Sequence, residues 1–309
     1  MERRQLEVFL AVCDRGNMAE AARDLHMSQP ALSHTIKALE KNVGTPLFHR
    51  LPRGVRLTSA GESLRLPAAQ IVSDFAIAAE RVRAVRGLRG GSLDVVSLPG
   101  LVTSPLAPWL GRFGKHWPGI EVRIEQVETP EQVTQMIRSG RAEVGLTVGD
   151  ATEAELVFTR VDTQELVAVL PAASGERLDA ARDPGSAAAP ASPRSSITLA
   201  ELMREGLITG KRGTLIRDLA EAAALADGTP WHPVIEVERR EAALAFVHAG
   251  AGAAVLPRAS GEQARHSGLR VLSLAPRIRR PIFVLHRAGP LSPAASAFLD
   301  LVTSILPER

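Results

Sequence analysis

The feature that most constrains this chain is the order of its first sixty residues. Leu6, Phe9, Leu10 and Cys13 recur at i, i+3, i+4 and i+7, one stripe of an amphipathic helix, and Gly16 ends it. Asn17 can cap a second helix, whose inward residues are Met18, Ala21, Ala22 and Leu25. The two alanines are small enough for another helix to cross closely. Ser28 can cap a third helix, with Pro30 in its first turn, where a missing N–H costs nothing. Leu32, Ile36, Leu39 and Val43 are its expected inward face. The opposite face presents Gln29, Ser33, His34, Lys37 and Lys41, without an acid. Gln can bond adenine bidentately, Ser can meet several base edges, and Lys reaches guanine or phosphate. Two short helices joined by a tight turn, the second carrying such a face, make a helix-turn-helix. An ordinary polar face would tolerate Glu or Asp as readily as Ser or Lys.

A hairpin follows. Phe48-His49-Arg50 and Val55-Arg56-Leu57 flank the turn Pro52-Arg53-Gly54, which puts Arg53 at the tip and Arg50 at the base. Arginines on a rigid hairpin beside such a helix can enter a minor groove or clamp phosphates. The charge distribution agrees. Residues 1–90 hold 14 Lys+Arg against 9 Asp+Glu, whereas residues 91–309 hold 23 against 25, although the whole chain is only +3. An anionic partner is therefore expected for the head alone.

The stretch from Leu6 to Leu64 resembles the winged helix-turn-helix of LysR-type transcriptional regulators. The residues that carry the resemblance are Ala21-Ala22, Leu25, Ser28-Gln29-Pro30-Ala31-Leu32-Ser33, Ile36, Leu39-Glu40, Gly44, Leu47-Phe48, Arg50, Arg53, Leu57-Thr58 and Ala60-Gly61. Asn17 and Ala19 stand where the family usually has hydroxyl residues, and Val43 where it usually has Leu. The resemblance implies that Gln29, Pro30, Ser33, His34 and Lys37 face the major groove. It places Arg50 and Arg53 at the DNA backbone or minor groove.

Beyond the hairpin, Leu64, Ala68, Ile71, Phe75, Ala78, Val82 and Val85 alternate spacings of four and three, a coiled-coil seam. A dimer contact is the simplest use of such a seam, and packing on the chain's own second domain competes for part of it. Pro67 predicts a kink or a delayed helix start. Gly87, Gly90 and Gly91 mark a hinge. From Leu93 onward, strand-like and helix-like segments alternate at the spacing of parallel α/β units. An Ala/Pro/Ser/Gly/Arg-rich stretch between Ala172 and Ser196 reads as an exposed loop.

This half resembles the family's effector-binding domain, a periplasmic-binding-protein-like α/β fold of two lobes. Its markers are Leu110-Gly111-Arg112-Phe113, Trp117-Pro118, Gly140-Arg141-Ala142-Glu143-Val144, and Val247-His248-Ala249-Gly250-Ala251-Gly252 running to Leu256-Pro257. The expected organisation is a head over 1–58, a linker and dimerisation helix over 59–90, and an effector domain over 91–309. Lobe I is expected over 91–162 and 269–309, and lobe II over 163–268. In such folds a ligand lies between the lobes, at strand ends and helix N-termini. The candidates are Ser97, Gly100, Thr103, Thr147, Thr209, Lys211 and Thr214. The family often has a hydroxyl residue where Gly100 stands, so Ser97 or Thr103 is the expected substitute.

The remaining residues argue against other classes. One cysteine excludes a disulfide framework and a cysteine-rich zinc site, and the eight histidines form no pair at metal spacing. Gly250-Ala251-Gly252 lacks the third glycine of a dinucleotide loop. The stretch from Gly206 to Arg212 is one residue short of a P-loop and has Arg where Ser or Thr must bind magnesium. No apolar run spans a bilayer, and charged residues interrupt the N-terminal one. The expectation is a cytoplasmic, non-enzymatic regulator without cofactor or metal. Its partners are a pseudo-palindromic double-stranded DNA site, a small effector that can be anionic, and further copies of itself, as a dimer or a dimer of dimers. A small-molecule-binding module whose head mainly dimerises is the alternative, and an enzyme is third.

Overall fold

The computed structural model describes the chain except residues 53, 85–89, 150–154, 175–193 and 307–309, and the side chains of 240 and 241. Arg53, Val85, Gly87 and most of the Ala/Pro/Ser-rich stretch lie outside the described residues.

The head has the expected order: α1 (Arg3–Arg15), α2 (Met18–Asp24), α3 (Gln29–Val43), β1 (Phe48–Leu51) and β2 (Gly54–Leu57). Its boundaries follow its caps. Asn17 accepts from the N–H groups of Ala19 (2.8 Å) and Glu20 (3.3 Å), and Ser28 Oγ accepts from Ala31 N–H at 3.3 Å. Gly16 and Gly44 close α1 and α3 in the left-handed region. Leu6, Phe9, Ala21, Ala22, Leu32, Ile36 and Leu39 form one core with Phe48 of the wing. Val43 is exposed instead, because it occupies the last turn of α3 beyond the crossing helices. Gly54 seats the wing on the end of α1: Val55 N–H donates to Gly16 O at 2.8 Å, and a side chain at 54 would collide with that carbonyl.

The linker helix α4 (Ser59–Ala84) runs unbroken through Pro67, so no delayed start occurs. Pro67 is exposed, where a freed carbonyl one turn back can meet water. Leu64, Ala68 and Ile71, on the same helix, are held in the head core. That packing corrects the expected seam. Its first three positions are occupied within the chain, with Ala68 fully buried, while Phe75 and Val82 are 51% and 73% exposed. Ala78 is exposed beside them.

The body is a mixed sheet shared by two lobes. In the first, the strand order is β4 (Ile120–Gln126), β3 (Gly91–Ser97), β5 (Val144–Val148), β12 (Arg279–Arg287) and β6 (Leu156–Leu170). In the second, β6 pairs with β10 (Ala253–Pro257), which leads to β8 (Leu207–Gly210) and β9 (Ile235–Val237). On the other side β6 pairs with β11 (Arg270–Ala275), which leads to β7 (Ser196–Thr198). The parallel units are present, but β12 runs antiparallel to β5 and β6, and β10 and β11 run antiparallel to β6. The apolar run Leu166–Leu170 is the second half of β6. Its first half pairs with β12 and its second with β10 and β11, so the crossing falls at Glu165/Leu166. The return crossing corrects the expected boundary at 269. β11 still belongs to the second lobe, and the chain re-enters the first only with β12.

Residues 166–170 alternate between two cores. Leu166, Ala168 and Leu170 pack with Leu272 and Val255, whereas Val167 and Val169 pack with Ile208 and Leu256. Burial on both faces explains an uninterrupted apolar run. The first lobe is cored by Val95, Val144, Leu146 and Val284, with Phe113 edge-on to Phe298 at 5.5 Å. Body and linker helix also touch: Gln70 donates to Arg138 O at 3.1 Å, and Arg287 pairs with Asp74 at 2.6 Å.

Candidate functional site

Two surfaces carry functional chemistry. The first is the outer face of α3. With Leu32, Ile36 and Leu39 buried, helical spacing turns Gln29, Pro30, His34 and Lys37 to solvent and leaves Ser33 half-buried. Arg50 is exposed on the adjacent wing. The head sorts its charges. Away from this face, Arg3 and Arg4 pair with Glu7, Arg15 with Asp24, and Arg65 with Asp14. Among the described residues, no acid pairs with Lys37, Lys41, Arg50 or Arg56. The nearby acid, Glu40, faces inward to the wing instead: its Oε1 accepts from Leu47 N–H at 2.8 Å and Phe48 N–H at 3.4 Å. A polar, cationic helix face and a cationic hairpin therefore lie side by side, without acids to repel a polyanion.

The second is a cavity of about 400 Å³ between the lobes. The first lobe contributes Leu98 to Leu101 after β3, with Gln126 at the end of β4 and Glu128 just beyond it. The second contributes Ile208 to Gly210, Gly213 to Arg217, Val237 to Arg239, Ala243 and Ala254 to Leu256. Gln164 and Arg280 come from the crossing strands. Thr214 precedes the helix Leu215–Ala226, so the first N–H groups of that helix open on the cavity. Arg217, 2% exposed, is held by Glu236 (2.6 Å), Glu221 (3.2 Å) and the Gly210 carbonyl (3.0 Å). Burial disfavours its charge, but those two carboxylates more than restore it and raise its pKa. Arg280 Nε donates to Gln164 Oε1 at 2.8 Å.

Of the expected ligand residues, Gly100, Thr209 and Thr214 line this cavity. Four do not. Ser97 is fully buried and its hydroxyl donates to Leu98 O at 3.1 Å. Thr103 is exposed away from the cavity wall. Thr147 is buried in the first-lobe sheet, outside the wall. Lys211 is not part of the wall, and its ammonium donates to Glu238, a wall residue, at 2.8 Å. Hydroxyl chemistry alone does not say which way a side chain points. The charged and carboxamide wall residues that the candidates did not include are Gln126, Glu128, Gln164, Arg217, Glu238, Arg239 and Arg280. Only Arg217 left a local trace, lying one turn from the expected cap Thr214.

The motifs weighed for enzymes have packing roles. Gly252 has φ +154°, and a side chain there would strike the Gly206 carbonyl, so the glycines bring β10 and β8 together. Cys13 is partly buried, and burial pushes its thiol up to about 12, far from a nucleophile's range. Among the described residues, no group of His, Cys, Asp or Glu is placed to hold a metal, and no helix is long and apolar enough to cross a membrane.

Known proteins share both halves. Residues 3–62 match the family model described as "Bacterial regulatory helix-turn-helix protein, lysR family", and residues 86–306 match "LysR substrate binding domain". The chain is 30% identical over 304 residues to the HTH-type transcriptional regulator TfdS of Cupriavidus pinatubonensis, covering 97% of each. It is 38% identical to BudR of Raoultella terrigena over 147 residues, 47% of this chain and 50% of that one. Among solved structures, full-length CbnR complexed with its target DNA superposes with a TM-score of 0.66 at 25% identity, covering 98% of this chain and 99% of that one. The chain belongs to the LysR family, DNA-binding transcriptional regulators with an effector-binding domain behind a helix-turn-helix head.

Proposed function

We propose that Gln29, Pro30, Ser33, His34 and Lys37 read bases in the major groove, while Arg50 and Arg53 hold the backbone or minor groove. The observation that carries this reading is the sorting of charge: Arg3, Arg4, Arg15 and Arg65 pair with acids, whereas Lys37 and Lys41 on α3 and Arg50 and Arg56 on the wing meet none among the described residues. Phe75, Ala78, Val82 and Val85 would join two linker helices. That pairing presents two heads to half-sites of a pseudo-palindrome about 34 Å apart, and two such dimers would form the full assembly. A small anionic effector would sit between the lobes on Gly100, Thr209 and Thr214, with Gln164, Arg217 and Arg280. It can switch the regulator only by binding two lobe arrangements with different affinity. Cytoplasm is the compartment this function needs. A mobility-shift titration at physiological salt tests the reading. Preference for the DNA upstream of the protein's own coding region over random DNA supports it. Equal binding favours a ligand-binding module whose head mainly dimerises.

A further inference from the structure

We infer that the cavity between the lobes is built for an aliphatic amino acid, its carboxylate held by the second lobe and its ammonium by Glu128 of the first. This rests on the reading of that cavity as the effector site and names the class of ligand; the carboxylate is the anionic group of that reading. On the second lobe, the helix Leu215–Ala226 starts with an open end. Thr214 precedes it without capping it, because the threonine hydroxyl donates to Lys211 O at 2.7 Å. Among the described residues, no backbone carbonyl outside the helix and no side-chain cap accepts from the N–H groups of Leu215, Ile216 and Arg217, and all three residues line the cavity. A second observation points the same way. Thr209 of β8 lines this cavity, is only 9% exposed, and makes no hydrogen bond through its hydroxyl among the described residues. A hydroxyl so buried ordinarily has a partner. The Arg217 guanidinium is already met by Glu236 and Glu221, so the anchor is the set of N–H groups, the positive end of the helix dipole and the Thr209 hydroxyl.

The first lobe supplies the opposite charge. Glu128 is exposed on its wall, and no cation pairs with the carboxylate among the described residues. The backbone N–H of Glu128 donates to Gln132 Oε1 at 2.9 Å, which orders the turn and leaves the carboxylate unused. The other acid of the wall, Glu238, is met by Lys211 at 2.8 Å and by the charge of Arg239. A ligand with only a carboxylate would meet Glu128 as a like charge. A simple amine would leave the helix end and Thr209 without a partner. A ligand with both groups satisfies both walls. Leu98, Leu101, Ile208, Val237 and Leu256 supply aliphatic surface, and among the described residues no aromatic ring lines the cavity. An alkyl tail therefore gains burial there, and a flat ring gains no stacking.

Calorimetric titration of the full chain with L-leucine, 6-aminohexanoate, 4-methylpentanoate, 3-methylbutylamine and L-phenylalanine tests the inference. One of the two aliphatic amino acids should bind at least about tenfold more tightly than the acid without an ammonium, the amine without a carboxylate and the aromatic amino acid. Glu128→Gln, at an exposed position, should bring that amino acid down to the affinity of 4-methylpentanoate. Thr209→Val, which keeps the shape and removes the hydroxyl, should weaken the amino acid and 4-methylpentanoate by the same factor, about tenfold. Gly100→Leu, which fills the cavity, should abolish binding. Absence of the preference, including no binding of any probe, overturns the assigned class and leaves the cavity as effector site standing. Undiminished amino-acid binding in Glu128→Gln does the same, and keeps the test decisive should Thr209→Val fail to fold. Amino-acid binding that survives both Thr209→Val and Gly100→Leu overturns the class and the site together.

Discussion

The Glu40 carboxylate accepts a 2.8 Å hydrogen bond from the buried backbone N–H of Leu47, fastening α3 to the wing. The contact fixes where Arg50 stands relative to the helix face. Glu40→Ala strands that N–H, which costs about 1–3 kcal/mol. The expected result is a lower unfolding midpoint and a several-fold weaker DNA complex, read by denaturation and by DNA titration. Wild-type stability in the variant would contradict the role given to Glu40.

Lys37 and Arg50 are expected to act on phosphate more than on sequence. Replacing either by Ala should weaken specific and random DNA alike and reduce the slope of log affinity against log salt by about one. Binding measured across a salt series decides this. A loss confined to the specific site would reassign the residue to base reading.

Phe75 and Val82 expose apolar surface on the linker helix, and the Arg3 guanidinium lies 5.9 Å from the Phe75 ring centroid. If this half of the seam joins two copies, Phe75→Asp with Val82→Asp places charges in a dry interface. The double variant should be monomeric by native mass and bind DNA much more weakly. A dimer of unchanged stability would move the interface elsewhere.

Burial pushes the Glu143 carboxyl above its ordinary value of 4.5, against the pull of hydrogen bonds from the Ser292 hydroxyl (2.6 Å) and N–H (2.9 Å). Glu80 and Asp94 add repulsion in the same upward direction. The folded state therefore holds this proton more tightly than the unfolded state. The resulting stability is present below the ordinary value and is lost as pH rises through the folded one. Glu143→Gln should flatten the fall in melting temperature as pH rises past the ordinary carboxyl value of 4.5 and through the raised folded one. Parallel curves for variant and wild type would show that the group does not control this dependence.

The head was legible because its determinants are local. Caps at Asn17 and Ser28 and stripes such as Leu32, Ile36 and Leu39 lie within a few residues of what they fix. The body was legible only where a strand's own pattern sufficed, as at Leu166–Leu170. The first half of β6 carries Thr159, Arg160, Asp162 and Gln164, whose partners lie on β12, and Arg280 is 116 residues from Gln164. No local period reports such a pairing, so neither the return crossing after 269 nor the place of Arg280 in the cavity wall was legible. Pro67 misled in the opposite sense. The local rule was outweighed by the packing of Leu64, Ala68 and Ile71, which holds the helix on either side of it.

The central claim is that the α3 face reads sequence, and Gln29 tests it most directly. Its exposed carboxamide opens α3, the helix proposed to face the groove, and takes no part in the head core. Fluorescence anisotropy of wild type and Gln29→Ala on the upstream site and on random DNA, at one salt concentration, gives two affinity ratios. The account predicts that Gln29→Ala weakens the specific complex roughly tenfold or more while random DNA binds nearly as before, so the ratio collapses toward one. Equal losses on both DNAs would contradict it.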